Sequence, residues 1–500
     1  MCTVNLQGLK EILKDIWAFS IALDAGNNAG TAYLDLRMRC YYKNFLQNLH
    51  LLAIPMRERH TGAYQYDLIV NALDILAPNW RYQLIGVSSD GASTMTGCIQ
   101  GTVSRLAREC HTPIFRIWCG AHQLDLVIKK AFNGLCNERF LNIVTGVTGH
   151  LRRQQNLISD MKCACPTFVL TRWISMGKLL KWLKEKRIRL LQHFEEKTAC
   201  SPSTEWWITI MIIQPLVKRI EKTFISLQGL NTLVCEQRKQ LSQLGTDIMS
   251  RCNIKGPISV EEELEFKAQL QQKPLHGFIL GRYCVSQKEI VDAINEVGGF
   301  VQLSMDQFCD SDDNADRAKH QEIVSSFANF GLQIVTGVMK IVVERDARNS
   351  GTEEIPPVLP LDLFNVNSRL FTASLQQQRI RLRQKLSDEA IEQIDEQFRQ
   401  LRIAVREETG LKAVLEQAHT RENVQSFDEC WSPLGTKYSD LHRFCAGMAS
   451  VMPGTSSVEA DFSLISWTKD PNSQRMTDFS LESILHCKQY DRLQKLLFND

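Results

Sequence analysis

A chain of 500 residues is too long for one ordinary core and predicts two or three structural units at the usual ~150 residues per domain. Apolar residues make up 44% and charged residues 23%, a composition that excludes disorder along most of the length. The 58 basic and 56 acidic side chains leave a net charge of +2, which excludes a uniformly basic nucleic-acid binder. No apolar run approaches the ~20 residues of a membrane span.

The first twenty residues carry charges within every apolar stretch and no small-residue cleavage site, so no signal peptide is expected. Phe19–Ala25, Thr31–Tyr42 and Phe45–Met56 are β-branched or aromatic runs with partial alternation. Gly26, Asn27, Asn28 and Gly30 separate the first two, and Lys43 with Asn44 the next, so an antiparallel three-strand meander is expected. A helical period from Tyr64 to Leu76 is stopped by Pro78. A strand at Tyr82–Ser88, a helix at Met95–Cys110, a strand at Ile114–Cys119 and a helix at Leu124–Phe132 follow. The order βββαβαβα predicts a mixed sheet of the α/β or α+β class across residues 1–135.

From about Cys136 to Asp440 the spacing turns helical, as in Lys178–Glu196, Trp206–Leu230 and Leu375–Gln417. Loops are expected at 304–316 and at 349–360, where Pro356, Pro357 and Pro360 oppose a helix. Charge is segregated here: residues 136–200 hold 12 basic and 5 acidic side chains, and residues 257–320 hold 6 basic and 12 acidic. The basic block contains Arg152, Arg153, Arg172 and Lys178, and serves equally well as a phosphate-binding surface or a solvated helix face. Over 441–500, Ser456–Trp467 and Asp478–Phe498 carry apolar stripes that need a core or a partner subunit.

The 16 cysteines are scattered, with no CxxC pair, and read as reduced, mostly buried thiols in the cytosol or nucleus. Cys119 and His122 have the spacing of half a zinc site with nothing to supply the other half, so no zinc site is predicted. Asp24 and Asp90 each end an apolar strand ahead of a glycine, where carboxylates project into the crevice of a mixed sheet and can hold Mg²⁺. Asp125 and Asp461, beside the motifs, read as solvated or capping groups.

In order along the chain, FSIALDAGNNAGTAYLDLRMR, LIGVSSDGASTMTG, WCGAHQLDLV, TRWIS and SSVEADFS resemble the hAT superfamily of DNA transposases. The resemblance covers essentially the whole chain. It implies an RNase H-like core interrupted by a large all-α insertion and completed by C-terminal helices that form a dimerisation region. It further implies that Asp24, Asp90 and Glu459 are a DDE triad holding Mg²⁺ or Mn²⁺ for two-metal DNA cleavage and strand transfer. Cys119 and His122 would support that site, and Trp173, flanked by Arg172 and Lys178, would stack on a displaced base or else pack in a core. Phe462, Ile465, Ile484, Leu485 and Leu493 would face a second copy.

Three departures accompany the resemblance. The chain contains no BED-type zinc finger, so sequence-specific recognition of transposon ends is not expected. Ala25, Gly26 and Asn27 stand where hAT proteins are rich in Ser and Thr, and Ala460 stands where they have Arg. Three functions stay open: a nuclear, metal-dependent DNA-cleaving dimer; a transposase-derived protein that dimerises without cutting; and a non-specific nucleic-acid binder. None of them involves a membrane or a small-molecule substrate.

Overall fold

The computed structural model describes residues 2–28, 30–135, 139–168, 174–198, 201–251, 357–419, 426–469 and 476–498, with scattered positions between 259 and 341. The chain divides into two compact units. The first comprises residues 1–122, 227–238 and 345–500, and the second residues 123–226 and 239–344. The described residues of 357–419 and 426–440 fall in the first unit.

In the first unit, helix α1 (Cys2–Asp15) precedes strands β1 (Phe19–Asn28), β2 (Thr31–Tyr42) and β3 (Phe45–Met56). Helices α2 (Gly62–Leu76) and α3 (Trp80–Gln83) lead to β4 (Leu84–Ser89), and α4 (Ser93–Thr96) and α5 (Thr102–Glu109) to β5 (Phe115–Trp118). The strand order is β3-β2-β1-β4-β5, with β1, β2 and β3 antiparallel and β4 and β5 parallel to β1. The expected meander matches β1–β3 closely. The helix expected over Met95–Cys110 is broken, because the chain turns at Gly97–Gly101, where the Gly101 N–H donates to the Gly97 carbonyl at 3.0 Å.

Alternation within β2 sets the plan of the sheet. Leu34, Leu36, Met38 and Cys40 point to one face with Ile21, Leu23 and Leu49, and pack against Leu9, Ile12 and Leu13 of α1 and Ile69 and Leu73 of α2. Each fully buried Leu or Ile stabilises by roughly 1.5–3 kcal/mol. Helix α1 was not expected, although Leu6, Leu9, Leu13 and Ile16 recur at helical spacing; Gly8 weakens its propensity, and packing on α2 and the C-terminal helix holds it. Tyr33, Asp35, Arg37 and Arg39 point to the opposite face. A polar sheet face normally meets water, yet Asp35 and Arg39 are buried here.

Helix α6 (Gly120–Asn133) carries the chain into the second unit, which contains α7 (Phe140–Leu151), α8 (Gln155–Met161), α9 (Ile174–Glu196) and α10 (Thr204–Leu227). Helix α11 (Val234–Arg251) begins in the first unit and ends in the second. The second unit's core gathers Phe132, Phe140, Phe194, Trp206, Trp207 and Phe330. It also holds an antiparallel pair, β6 (Gly277–Leu280) and β7 (Tyr283–Ser286), in a stretch where no strand was expected. The expected loop at 304–316 lies outside the described residues.

Back in the first unit, α12 (Pro360–Asn365), α13 (Ser368–Leu382), α14 (Asp388–Glu407), α15 (Leu411–His419), α16 (Phe427–Trp431) and α17 (Ser439–Ala449) follow. Pro360, expected to oppose a helix, instead opens α12, where its missing N–H is one the first turn does not use. Phe371 and Phe398 stack at 3.9 Å between centroids, in a core shared with Trp17 ahead of β1 and with Ile85, Phe115 and Ile117 of the sheet. The last two helices, α18 (Ser456–Thr468) and α19 (Asp478–Phe498), pack on β1, β2 and β3 and cover the polar face. Among the described residues, no helix is long and apolar enough to cross a membrane.

Candidate functional site

Strand β1 is central, flanked by antiparallel β2 and parallel β4. Ala22 of β1 is level with Ser88 of β4, so two residues further along each chain Asp24 and Asp90 emerge at neighbouring strand ends. That is where an open α/β sheet presents ligand-binding groups. The Ala25 N–H donates to Asp24 Oδ1 at 2.8 Å, and the Ala92 N–H donates to Asp90 Oδ1 at 3.1 Å. Both carboxylates are half-buried.

The turn after Asp90 lies directly on the indole of Trp118. A Cβ placed on Gly91 would sit 2.3 Å from that ring, so only glycine fits. Gly91→Ala is expected to cost about 1–3 kcal/mol, as other overpacking substitutions do, and to displace Asp90. Urea denaturation and a cleavage assay read the two effects, and an unchanged midpoint would mean that the indole simply moves aside.

Glu459 reaches the same place from the far end of the sequence. It lies in the first turn of α18, exposed to solvent, while Val458 beside it is buried with Ala22 and Met452. One turn on, the Phe462 ring rests on Gly26 of β1, where a Cβ would approach it to 2.8 Å. Buried Cys119, which follows β5, supports the segment leading into α18: its Sγ lies 3.0 Å from where a Gly454 side chain would begin. His122, half-buried, is in the first turn of α6.

Electrostatics ties the three acids together. Burial pushes the Asp24 carboxyl up, the Asp90 charge pushes it further, the Ala25 N–H opposes this, and the Glu459 charge adds to the rise; the outcome is about 7. An oxygen-only donor set of three carboxylates, open on the Glu459 side, fits a hard divalent cation such as Mg²⁺. Sets of donors drawn tighter, with all ligand atoms within 4.8 Å of one another, occur among the described residues at Asp35–His50–Asp461 and His50–Glu482–His486.

The other expected residues fall differently. Trp173 and Arg172 lie outside the described residues. Arg152, Arg153 and Lys178 are exposed in the second unit, where Arg152 Nη1 donates to the Cys165 carbonyl at 3.0 Å and to Thr167 Oγ1 at 2.6 Å. The dimerisation residues need correction. Ile465 and Leu485 are buried in a cluster with Tyr33 and Ala53, Leu493 is buried in the core with α1, and Phe462 seats α18 on β1. Ile484 is half-buried. Their stripes are covered by the chain's own sheet and helices. The large apolar side chains that these two helices leave exposed are Trp467 (85%), Phe479 (70%) and Phe498 (74%).

Asp461 is not solvated, as expected from sequence, but buried, with Arg37 Nη1 donating to its two oxygens at 2.8 and 2.7 Å. Asp125 pairs with Lys129 one helical turn away. Sequence reasoning missed Arg37, His50 and Glu482 altogether. The available signal was the charged alternation Asp35-x-Arg37-x-Arg39 in a strand flanked by apolar ones. No known protein-family model matches the sequence.

Proposed function

We propose that the chain has an RNase H-like core of the hAT transposase type, in which Asp24, Asp90 and Glu459 hold Mg²⁺ or Mn²⁺ for DNA cleavage and strand transfer. The observation that carries this reading is the placement of Asp24 and Asp90 at neighbouring ends of β1 and β4, with Glu459 in the first turn of the helix that Phe462 seats on β1. The strand order β3-β2-β1-β4-β5, with carboxylates at the ends of β1 and β4, suits such a core. Bound divalent ions supply Lewis-acid stabilisation of the leaving oxygen and lower the pKa of the attacking water or hydroxyl. The protein's part is positional: β1 and β4 fix two carboxylates, Phe462 fixes the helix that brings the third, and exposed Glu459 leaves room for a phosphodiester. Exposed Lys178, Arg152 and Arg153 suit contact with the DNA backbone, and such a protein works in the nucleus. Incubation with transposon-end duplex and Mg²⁺ or Mn²⁺ should give nicks that Asp90→Ala abolishes. Folded protein that leaves varied duplexes intact with either ion refutes the reading.

A second reading, a transposase-derived protein that dimerises without cutting, draws on the exposed aromatics of α18 and α19. Trp467→Asp with Phe479→Asp is expected to convert dimer to monomer in analytical ultracentrifugation while far-UV circular dichroism stays unchanged. Wild-type protein that sediments as a monomer at high micromolar concentration removes this reading.

A further inference from the structure

The polar face of the sheet continues beyond Asp24 into a second set of titratable groups. Asp35 is the cross-strand partner of Asp24, and Arg37 is that of His50, across a bulge in the β2–β3 register. Helix α18 lowers Asp461 onto them and α19 lowers Glu482. Asp35 is 0%, His50 3% and Asp461 8% exposed. Charged groups buried this deeply persist when they are paired, hydrogen-bonded or coordinating a metal.

Asp35 and His50 bring buried polar atoms without a hydrogen bond to one point beside Asp461. Neither carboxylate oxygen of Asp35 has a hydrogen bond, and neither has His50 Nδ1. His50 Nδ1 nevertheless lies 3.4 Å from Asp35 Oδ1 and 3.4 Å from Asp461 Oδ2, and the three donors all fall within 4.8 Å of one another. Nitrogen and oxygen ligands held at ~2.0–2.2 Å around a tetrahedral ion stand roughly 3.3–3.6 Å apart. The opposite ring nitrogen, His50 Nε2, lies 3.1 Å from Glu482 Oε1. A ligating histidine commonly gives its other N–H to a carboxylate in this way, which leaves Nδ1 as the free donor. Gln489 fixes the backbone of His50 from both sides, accepting from its N–H and donating to its carbonyl at 2.9 Å each.

The neighbouring set, His50–Glu482–His486, is less suited. Gln489 Nε2 lies 3.3 Å from His486 Nδ1, and His486 Nε2 lies 3.0 Å from Glu482 Oε1, so both ring nitrogens of His486 face a protein group of their own. We propose that Asp35, His50 through Nδ1, and Asp461 form a structural site for a divalent transition metal of the Zn²⁺ class. Two carboxylate ligands balance the ion, and Arg37 stays paired with Asp461 from the side. Imidazole with two carboxylates favours zinc over magnesium, which keeps several waters and octahedral geometry. Asp461 lies two residues beyond Glu459, on the other side of α18, so the ion pins to the sheet the helix that carries Glu459. The site stands on its own observations and does not depend on cleavage activity.

A proton is the competing occupant. Burial alone would push the His50 imidazole down, but the Asp461, Glu482 and Asp35 carboxylates lift it to about 10. The test uses the full-length chain stripped with chelator, reloaded with ZnCl₂ and passed through gel filtration, with metal content measured by mass spectrometry. One zinc per chain is expected, with a zinc-edge X-ray absorption spectrum showing nitrogen and oxygen neighbours. Asp35→Asn should lower zinc affinity by more than the roughly 10–100-fold that loss of an outer partner costs, and Asp24→Asn should retain one zinc. Because Asp35→Asn can fail to fold, the wild-type absorption spectrum serves as the independent readout. A folded wild type that retains no zinc, one whose zinc has sulfur neighbours, or an Asp35→Asn protein that binds zinc undiminished overturns the proposal in favour of a proton-bearing charge network.

Discussion

Asp24→Asn is expected to make the metal-free protein more stable at pH 8 while abolishing metal-dependent cleavage. The carboxyl is held at about 7 in the folded chain, against ~3.9 for an unfolded aspartate. An acid whose folded pKa is raised binds its proton more tightly when folded, so its contribution is fully favourable below about pH 4 and is lost as pH rises through 7. Above pH 7 the ionised group destabilises the fold by on the order of 2–4 kcal/mol, the lower end applying because the site opens to solvent on one side. Asparagine fills the same space without the charge. Urea midpoints in chelator should therefore coincide near pH 4 and separate progressively up to pH 7, with the variant higher. Adding Mg²⁺ should close the gap by stabilising the wild type alone, since the variant lacks the ligand. A gap that does not change with pH, or a variant less stable at pH 8, would show that Asp24 is not held in the field of Asp90 and Glu459.

The sheet and its carboxylates were legible because local signals agreed. Gly and Asn turns bounded β-branched runs, and Asp24 and Asp90 followed apolar strands at glycines. Glu459 was legible only through resemblance; nothing in its neighbourhood says that α18 returns to β1. The fate of the polar face was illegible for a physical reason. Alternation in β2 states that Asp35, Arg37 and Arg39 share a side, but whether that side meets water depends on helices more than 400 residues away. The same limit misled the reading of the C-terminal stripes: amphipathicity reports that Ile465, Leu485 and Leu493 must be buried, not against what. Tyr33, Ala53 and the α1 core supply that burial within the chain.

Arg381→Leu is expected to be among the most destabilising single substitutions, although the residue sits in a Gln- and Arg-rich stretch. Its guanidinium is completely buried, and burial lowers its pKa to about 10. Arg381 Nε donates to the Tyr82 carbonyl at 2.8 Å, and Nη2 donates to the carbonyls of Leu84 at 2.9 Å and Pro113 at 3.1 Å. Nη1 donates to Gln378 Oε1 on the same helix. The side chain thus ties α13 to the amino ends of β4 and β5. Leucine replaces the apolar stem but leaves those acceptors dry, at about 1–3 kcal/mol each before relaxation, so a net loss of roughly 3–5 kcal/mol is expected. Lysine should recover less than half, because one ammonium cannot reach three carbonyls arranged for a planar fork. Equilibrium unfolding gives the magnitude, and hydrogen exchange should show the β4 and β5 amides losing protection first. Arg381 lies at the opposite end of these strands from Asp90. The leucine variant should therefore keep the pH-dependent step of Asp24 and the Mg²⁺ increment on a lower baseline. If both vanish with it, the two ends of the sheet are coupled and the carboxylates depend on α13 for their placement.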